Sequence, residues 1–155
     1  MKKERFTAKI SVHILFMKEN SILLSLRKNI TLDGLYGLVA GHLNGGETVT
    51  HAIMREAKEE VGVIVDPKDI KIANVCHNFN PKNNTEFVQF YTICKKWDGE
   101  ITNAEPEKCG GLQFFPVDNL PDNIVPYIKD AIEKTLAGVT FYEYGWGEKE
   151  YSLDF

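Results

Sequence analysis

The sequence lacks long hydrophobic runs, paired cysteines and an excess of basic residues. No stretch approaches the roughly 20 consecutive apolar residues of a membrane-spanning helix. Lys9, His13 and Lys18 interrupt the apolar residues near the N-terminus, so residues 6–17 predict a β-strand and no signal peptide. The 3 cysteines are odd in number and show no CxxC spacing, which favours free thiols over a disulfide or a zinc site. We therefore expect a cytoplasmic protein that does not bind membranes.

The charge balance is mildly acidic, with 18 Lys and Arg residues against 22 Asp and Glu residues. Because nucleic-acid binding generally uses a basic face, we expect no nucleic-acid partner. A small anionic ligand held through a metal ion is compatible with this balance. Hydrophobic residues at 43% and charged residues at 26% are typical of a globular protein. The length predicts a single domain over residues 1–155, which ends in an aromatic-rich tail at residues 139–155.

The hydrophobic pattern predicts a fold that mixes strands and helices. Apolar, β-branched and aromatic runs separated by turn residues predict strands at residues 6–17, 22–26, 37–43, 70–77, 86–97 and 112–117. One helix is expected over residues 48–60, capped by Thr48 or Thr50 and ended by Gly62. A second helix is expected to begin within residues 120–123. Strands that bracket two helices predict an α/β sandwich with a mixed sheet.

The first predicted helix carries a cluster of carboxylates and follows a glycine-rich turn. Glu56, Glu59 and Glu60 are spaced i, i+3 and i+4, which places them within one arc of the helix surface. Like charges at this spacing repel each other. A divalent cation would offset that repulsion, since magnesium prefers carboxylate and other oxygen ligands. The helix is therefore a candidate metal site.

Residues 41–63 follow the pattern G-x5-E-x7-R-E-A-x-E-E-x-G-V. This pattern resembles the Nudix box, with a small Ala57 where a larger aliphatic residue is common. The order of strands and helices around the box also resembles a Nudix domain, and the segment before it is similar to that of bacterial MutT-like hydrolases. The resemblance implies an α/β/α sandwich with a mixed sheet. It also implies a hydrolase that uses Mg²⁺, or Mn²⁺ as a substitute, to cleave a nucleoside diphosphate linked to a further group.

Roles for the box residues follow from the same resemblance. Glu59 and Glu60 are the expected metal ligands, and Glu56 is expected to be the general base or an additional ligand. Arg55 lies four residues before Glu59, so its guanidinium is expected to orient a carboxylate. Glu47 is expected to support the site or the metal, or to contact the substrate. The backbone carbonyl of Ala40, just before the box, is expected to bind metal.

Three residues outside the box have weaker parallels in MutT-like members. Arg27 ends the second strand and is a candidate phosphate or base contact, or else a surface cation. Glu105 is a candidate metal ligand, preferred over Glu107 in the same loop, with a solvated carboxylate as the alternative. Asn123 is a candidate reader of a purine edge, although Asp122 and Asn123 both suit a helix N-cap.

Two histidines and the aromatic tail leave further alternatives open. His42 and His77 are candidate substrate contacts, although strand or surface positions suit them better. The tail is expected to pack on the domain or on a second copy of the chain, which leaves a homodimer open. Stacking of Tyr142, Tyr144 or Trp146 on a base is a further alternative.

The expected substrate is a nucleoside triphosphate, cut to the monophosphate and pyrophosphate. ADP-ribose or a nucleotide sugar is the alternative within the enzyme class, because the box residues meet only the diphosphate. A nucleotide-binding sensor without activity is the alternative from another class. Retention of every box carboxylate favours the enzyme.

Overall fold

The computed structural model describes residues 1–149 and 152–153. Its strands and helices follow in chain order as β1 Lys9–Lys18, β2 Ser21–Arg27, β3 Tyr36–Gly37, β4 Val39–His42, α1 Val49–Val61, β5 Ile70–Asn80, β6 Thr85–Cys94, β7 Cys109–Pro116, α2 Pro126–Leu136, β8 Phe141–Tyr144 and β9 Ser152–Leu153. Single 3-10 turns lie at Pro67–Asp69 and Gly147–Lys149. Each predicted strand has a counterpart, except that residues 37–43 divide into β3 and β4.

The strands form one mixed sheet. Its main path runs β3-β2-β1-β6-β5-β8-β9, with β4 paired to β1 and β7 paired to β2. β1 and β6 run parallel, as do β5 and β8, and the other pairings are antiparallel. This topology places β4, which leads into α1, directly beside the central strand β1.

The two helices cover opposite faces of the sheet, and the side chains of β1 alternate between these two faces. Val12, Ile14 and Phe16 lie under α1, whereas Leu15 and Met17 face α2. The predicted apolar stripe of α1 is buried at Ala52, Ile53, Ala57 and Val61. The predicted α/β/α sandwich with a mixed sheet is therefore confirmed.

The ends of α1 match the sequence prediction. The Thr48 hydroxyl accepts a hydrogen bond from the His51 amide at 3.2 Å, and Gly62 ends the helix with a φ of 73°. That conformation favours glycine, which has no Cβ to clash. Thr48, and not Thr50, is the cap.

The predicted start of the second helix was wrong. α2 begins at Pro126, its N-cap is Val125, and no side chain caps it. Asp122 and Asn123 form a turn, after which Ile124 forms an isolated bridge with Tyr36. The Tyr36 amide donates to the Asn123 carbonyl at 2.8 Å, and the Val125 amide donates to the Tyr36 carbonyl at 2.9 Å. Pro126 then favours a helix start, since its missing amide hydrogen costs nothing in the first turn. Asn123 is therefore not a helix cap.

The aromatic tail contains a strand that periodicity did not predict. Phe141–Tyr144 forms β8, which pairs in parallel with β5. Trp146 follows it, with its ring centroid 4.8 Å from that of Phe79 and its Nε1 donating to the His77 carbonyl at 3.0 Å. The tail thus contacts the domain through β8 and Trp146, which is one of the two expected alternatives. Residues 150–151 and 154–155 lie outside the described part. Within the described part, no helix has the length and apolarity needed to cross a bilayer.

Candidate active site

α1 packs its carboxylates against β4, which brings Glu56 beside Gly41. A Cβ atom placed on Gly41 would overlap the Glu56 carboxylate. The Glu56 side chain is only 10% exposed. Glycine at position 41 is therefore what lets a buried carboxylate lie directly on the strand backbone.

Arg55 links the carboxylates of the site. Its guanidinium donates to Glu47 at 2.7 and 3.0 Å, to Glu56 at 2.5 Å and to Glu59 at 3.2 Å. It also donates to the His42 carbonyl at 3.0 Å. Hydrogen bonding to Arg55 lowers the pKa of Glu47 to about 2, and the bond to Glu47 raises the pKa of Arg55. The predicted orienting role of Arg55 thus has a structural basis in a fork shared by three carboxylates.

Glu56 and Glu60 lie one helical turn apart, and each affects the pKa of the other. Burial raises the pKa of Glu56. Burial, followed by the charges of Glu56 and Glu105, raises the pKa of Glu60 to about 8, against an opposing hydrogen bond from the Ala40 backbone. Neighbouring carboxylates repel each other, and a proton on one of them removes that repulsion. Without metal, the protein therefore holds a proton where a cation would relieve the same repulsion.

A cavity of about 1230 Å³ opens over these groups. It is lined by most of the predicted site residues, namely Arg27, Ala40, Glu56, Glu59, Glu60 and Glu105. Among the residues that the structure describes, no three acidic, histidine or cysteine side chains stand together as a ready ligand group. Arg55 instead engages Glu56 and Glu59 through hydrogen bonds. The carboxylates that line the cavity are hard oxygen donors, which is chemistry that fits Mg²⁺.

A protein-family model described as the NUDIX domain matches residues 7–135. The chain belongs to the NUDIX family. Family members are hydrolases that act on pyrophosphate bonds, and they generally use divalent metals.

Relatives of this NUDIX chain differ in the substrates that their names state. It is 32% identical over 112 residues to an "ADP-ribose pyrophosphatase" of Methanocaldococcus jannaschii, an alignment that covers 72% of this chain and 64% of that protein. The chain thus spans less than two thirds of that relative's length. It is 27% identical over 116 residues to an "oxidized purine nucleoside triphosphate hydrolase" of Danio rerio, covering 75% of this chain and 71% of that protein.

The fold of this NUDIX chain is also shared with solved structures. The crystal structure of a MutT NUDIX hydrolase from Burkholderia pseudomallei superposes with a TM-score of 0.76 at 24% identity. It covers 83% of this chain and 98% of that chain. At this identity the likeness shows a common fold.

Two of the three residues predicted as contacts outside the NUDIX box donate hydrogen bonds to loop carbonyls. Arg27 Nε donates to the Thr31 carbonyl at 2.6 Å, and Asn123 Nδ2 donates to the Gly34 carbonyl at 3.0 Å. Arg27 still lines the cavity, whereas Asn123 is not among the lining residues. Their roles toward substrate stay predictions.

Glu105 and Glu47 occupy different positions around the site. Glu105 lines the cavity and pairs with Lys108 at 3.2 Å, while Glu107 is absent from the lining. This placement favours Glu105 as the candidate ligand of the two. Glu47 is not among the cavity-lining residues and instead holds Arg55 and accepts from the Asn44 amide at 2.9 Å, so it supports the site through Arg55.

The two histidines have different surroundings. His42 lines the cavity, with its ring centroid 5.7 Å from that of Phe87. His77 pairs with Glu86 at 2.8 Å and is not a lining residue. Its place on the surface of β5 agrees with the prediction of a strand residue.

Sequence reasoning missed a set of buried polar side chains on the sheet. Four of them line the same cavity and are 4–7% exposed, namely Ser11, His13, Asn78 and Gln89. The signal was present, because polar residues at inward-facing positions of a strand interrupt the apolar pattern. The four come from three strands that only the sheet topology brings together.

Proposed function

We propose that the chain is a Mg²⁺-dependent pyrophosphohydrolase that cleaves the diphosphate of a nucleoside diphosphate derivative. The observation that carries this proposal is that one cavity is lined by Ala40 and by four carboxylates, namely Glu56, Glu59, Glu60 and Glu105. Carboxylates that line one cavity repel each other unless a cation compensates them. Mn²⁺ is the expected substitute, since it accepts the same oxygen ligands.

The metal would be held by Glu59, Glu60, Glu56, the Ala40 carbonyl and Glu105. Once bound, it would supply a Lewis acid for the phosphoryl oxygens and favour ionisation of water. Within the chain, Glu56 is suited to accept the proton of the attacking water, because burial raises its pKa. Arg55 positions Glu56 and Glu59 through hydrogen bonds to both carboxylates.

The substrate that we propose first is a nucleoside triphosphate, released as monophosphate and pyrophosphate. Three cationic side chains line the cavity, namely Arg27, Lys82 and Lys108. A triphosphate carries more negative charge than the diphosphate of ADP-ribose, so it gains more from these cations. ADP-ribose is the second candidate, favoured by the name of the 32% identical relative.

A substrate panel tests the proposal. Purified protein is incubated with the common nucleoside triphosphates and with ADP-ribose, in Mg²⁺ and in EDTA, and the products are identified by ion-pair chromatography. Pyrophosphate with a nucleoside monophosphate supports the first substrate, whereas AMP with ribose 5-phosphate supports the second. Saturable nucleotide binding without any product in Mg²⁺ or Mn²⁺ would overturn the assignment as an enzyme and support a nucleotide-binding sensor.

A further inference from the structure

The cavity has a polar floor formed by buried side chains of three strands of the sheet. Ser11, Gln89 and Asn78 lie on the adjacent strands β1, β6 and β5, and all three are at least nine-tenths buried. Gln89 lies opposite Ser11 in the sheet register. Buried side chains of this kind cost free energy unless hydrogen bonds compensate them. Apolar residues would stabilise this floor better, so the polar set needs another explanation.

Asn78 and Gln89 form an amide pair of defined orientation. Gln89 Oε1 accepts from Asn78 Nδ2 and from the Tyr91 hydroxyl, each at 3.1 Å. These bonds use the oxygen of Gln89 and the nitrogen of Asn78. They do not use Gln89 Nε2, a donor, or Asn78 Oδ1, an acceptor, and both residues line the cavity. If the nitrogen and oxygen positions of both amides are exchanged, Gln89 offers the acceptor and Asn78 offers the donor. The pair still offers one donor and one acceptor.

The position of the pair suits the base of a bound nucleotide. β4 carries Ala40, and across the sheet the order is β4, β1, β6 and β5. With adjacent strands about 4.8 Å apart, Gln89 lies about 10 Å and Asn78 about 14 Å from β4. That spacing is about the length of a nucleoside, which would bring its phosphates to the carboxylates.

We propose that Asn78 and Gln89 recognise an adenine base. This inference rests on the nucleotide substrate proposed above. Adenine presents one amino donor, N6, beside one ring acceptor on each of its two polar edges, N1 or N7. One donor and one acceptor on the protein satisfy either edge completely. Guanine presents two neighbouring acceptors on one edge and an additional donor on the other, so the same pair leaves a polar atom of guanine unpaired. Both candidate substrates, ATP and ADP-ribose, contain this base.

Binding to the parent protein tests the proposal without any variant. Dissociation constants are measured by calorimetry for AMP, for GMP and for purine riboside 5′-monophosphate, which differs from AMP only by the missing amino group. We expect AMP to bind about 10-fold to 100-fold more tightly than either analogue, as for one bidentate base contact. Equal dissociation constants for AMP and purine riboside monophosphate would overturn the proposal.

Variants then assign the preference to the pair. Gln89→Met and Asn78→Leu should reduce the AMP preference to less than about 3-fold. Gln113→Met makes the same exchange at an exposed position of β7 and should keep the parent's preference. A preference that survives in both cavity variants, with folding verified by circular dichroism, would place adenine recognition elsewhere.

The binding measurements also separate this inference from the proposed function. If the parent prefers AMP but hydrolyses no substrate in the panel, the adenine site stands and the enzyme assignment fails. If the parent hydrolyses ATP and its purine riboside analogue with equal kcat/KM and binds the monophosphates equally, the adenine site fails and the enzyme assignment stands.

Discussion

Arg55 and Glu47 form a two-bond ion pair in which Nε donates to Oε1 at 2.7 Å and Nη2 donates to Oε2 at 3.0 Å. The remaining nitrogen, Nη1, reaches Glu56 and Glu59. A planar guanidinium provides this fork, and an ammonium group does not. Glu47 thus fixes the arginine that in turn fixes two candidate catalytic carboxylates.

Arg55→Lys tests this arrangement. The variant keeps the positive charge but cannot donate to Glu47 and Glu56 at the same time. The buried Glu56 carboxylate therefore loses a hydrogen-bond partner. We expect the free energy of unfolding to fall by about 1–3 kcal/mol and turnover to fall at least about 10-fold. Denaturant titration and steady-state kinetics measure the two effects. Arg5→Lys, at an exposed position, is the matched control, and a parent-like Arg55→Lys would refute the fork.

Gly41→Ala tests the close approach of Glu56 to β4. The added methyl group would occupy the space of the Glu56 carboxylate, so the side chain must move away from the site. We expect a loss of activity of at least about 100-fold, as for other displaced catalytic groups, together with weaker Mg²⁺ binding. Gly45→Ala is the control, because a Cβ there meets no atom within 4 Å. Equal activity of the two variants would contradict the packing described for Glu56.

Part of this structure was predictable from local patterns. Alternation of apolar residues identified the strands, and Thr48 and Gly62 identified the ends of α1. Spacing placed Glu56, Glu59 and Glu60 on one face because a helix fixes that geometry over four residues.

Other features depend on contacts between distant segments, which local patterns do not report. A backbone bridge between Tyr36 and Ile124 separates the start of α2 from Asp122 and Asn123, the residues that suit a helix cap. Arg27 and Asn123 bond to loop carbonyls, so residue type alone did not indicate their present partners. The polar floor required the order β1-β6-β5, which only the assembled sheet provides.

Asn123→Ala distinguishes a loop contact from a base contact. The variant removes the bond from Asn123 to the Gly34 carbonyl, so we expect the free energy of unfolding to fall by about 0.5–1.5 kcal/mol. The ratio of kcat/KM for ATP and GTP should stay within about 2-fold of the parent. Asn119→Ala, at an exposed position, is the control. A change in that ratio of more than 10-fold would instead support the purine contact predicted from the sequence.

The pH dependence of stability tests the buried proton at Glu60. Because the pKa of Glu60 is raised from 4.5 to about 8, the folded protein keeps a proton that the unfolded chain has released. The free energy of unfolding therefore falls as pH rises from about 4.5 to 8. Burial lowers the pKa of His13 from 6.5 to about 3, which gives the opposite slope, but only below about pH 6.5.

The window from pH 6.5 to 8 therefore isolates Glu60 from His13. Urea titrations of the parent in EDTA should show a decline of up to about 1.4 kcal/mol per pH unit across this window. Glu60→Gln mimics the protonated carboxyl group and should remove most of the decline. If the free energy of unfolding of the parent is constant across this window, Glu60 does not hold the proton. The same conclusion follows if the free energy of unfolding of Glu60→Gln declines as steeply as that of the parent.

In the function proposed above, the carboxylates of α1 and its neighbours bind a divalent metal and support hydrolysis of a nucleotide diphosphate bond. The most direct measurement is Mg²⁺-dependent turnover of ATP by Glu60→Gln, compared with Glu133→Gln at an exposed position of α2. We predict that Glu60→Gln reduces kcat at least about 100-fold and weakens the rise in melting temperature with Mg²⁺, whereas Glu133→Gln changes neither. Parent-like turnover and Mg²⁺ stabilisation in Glu60→Gln would contradict the account.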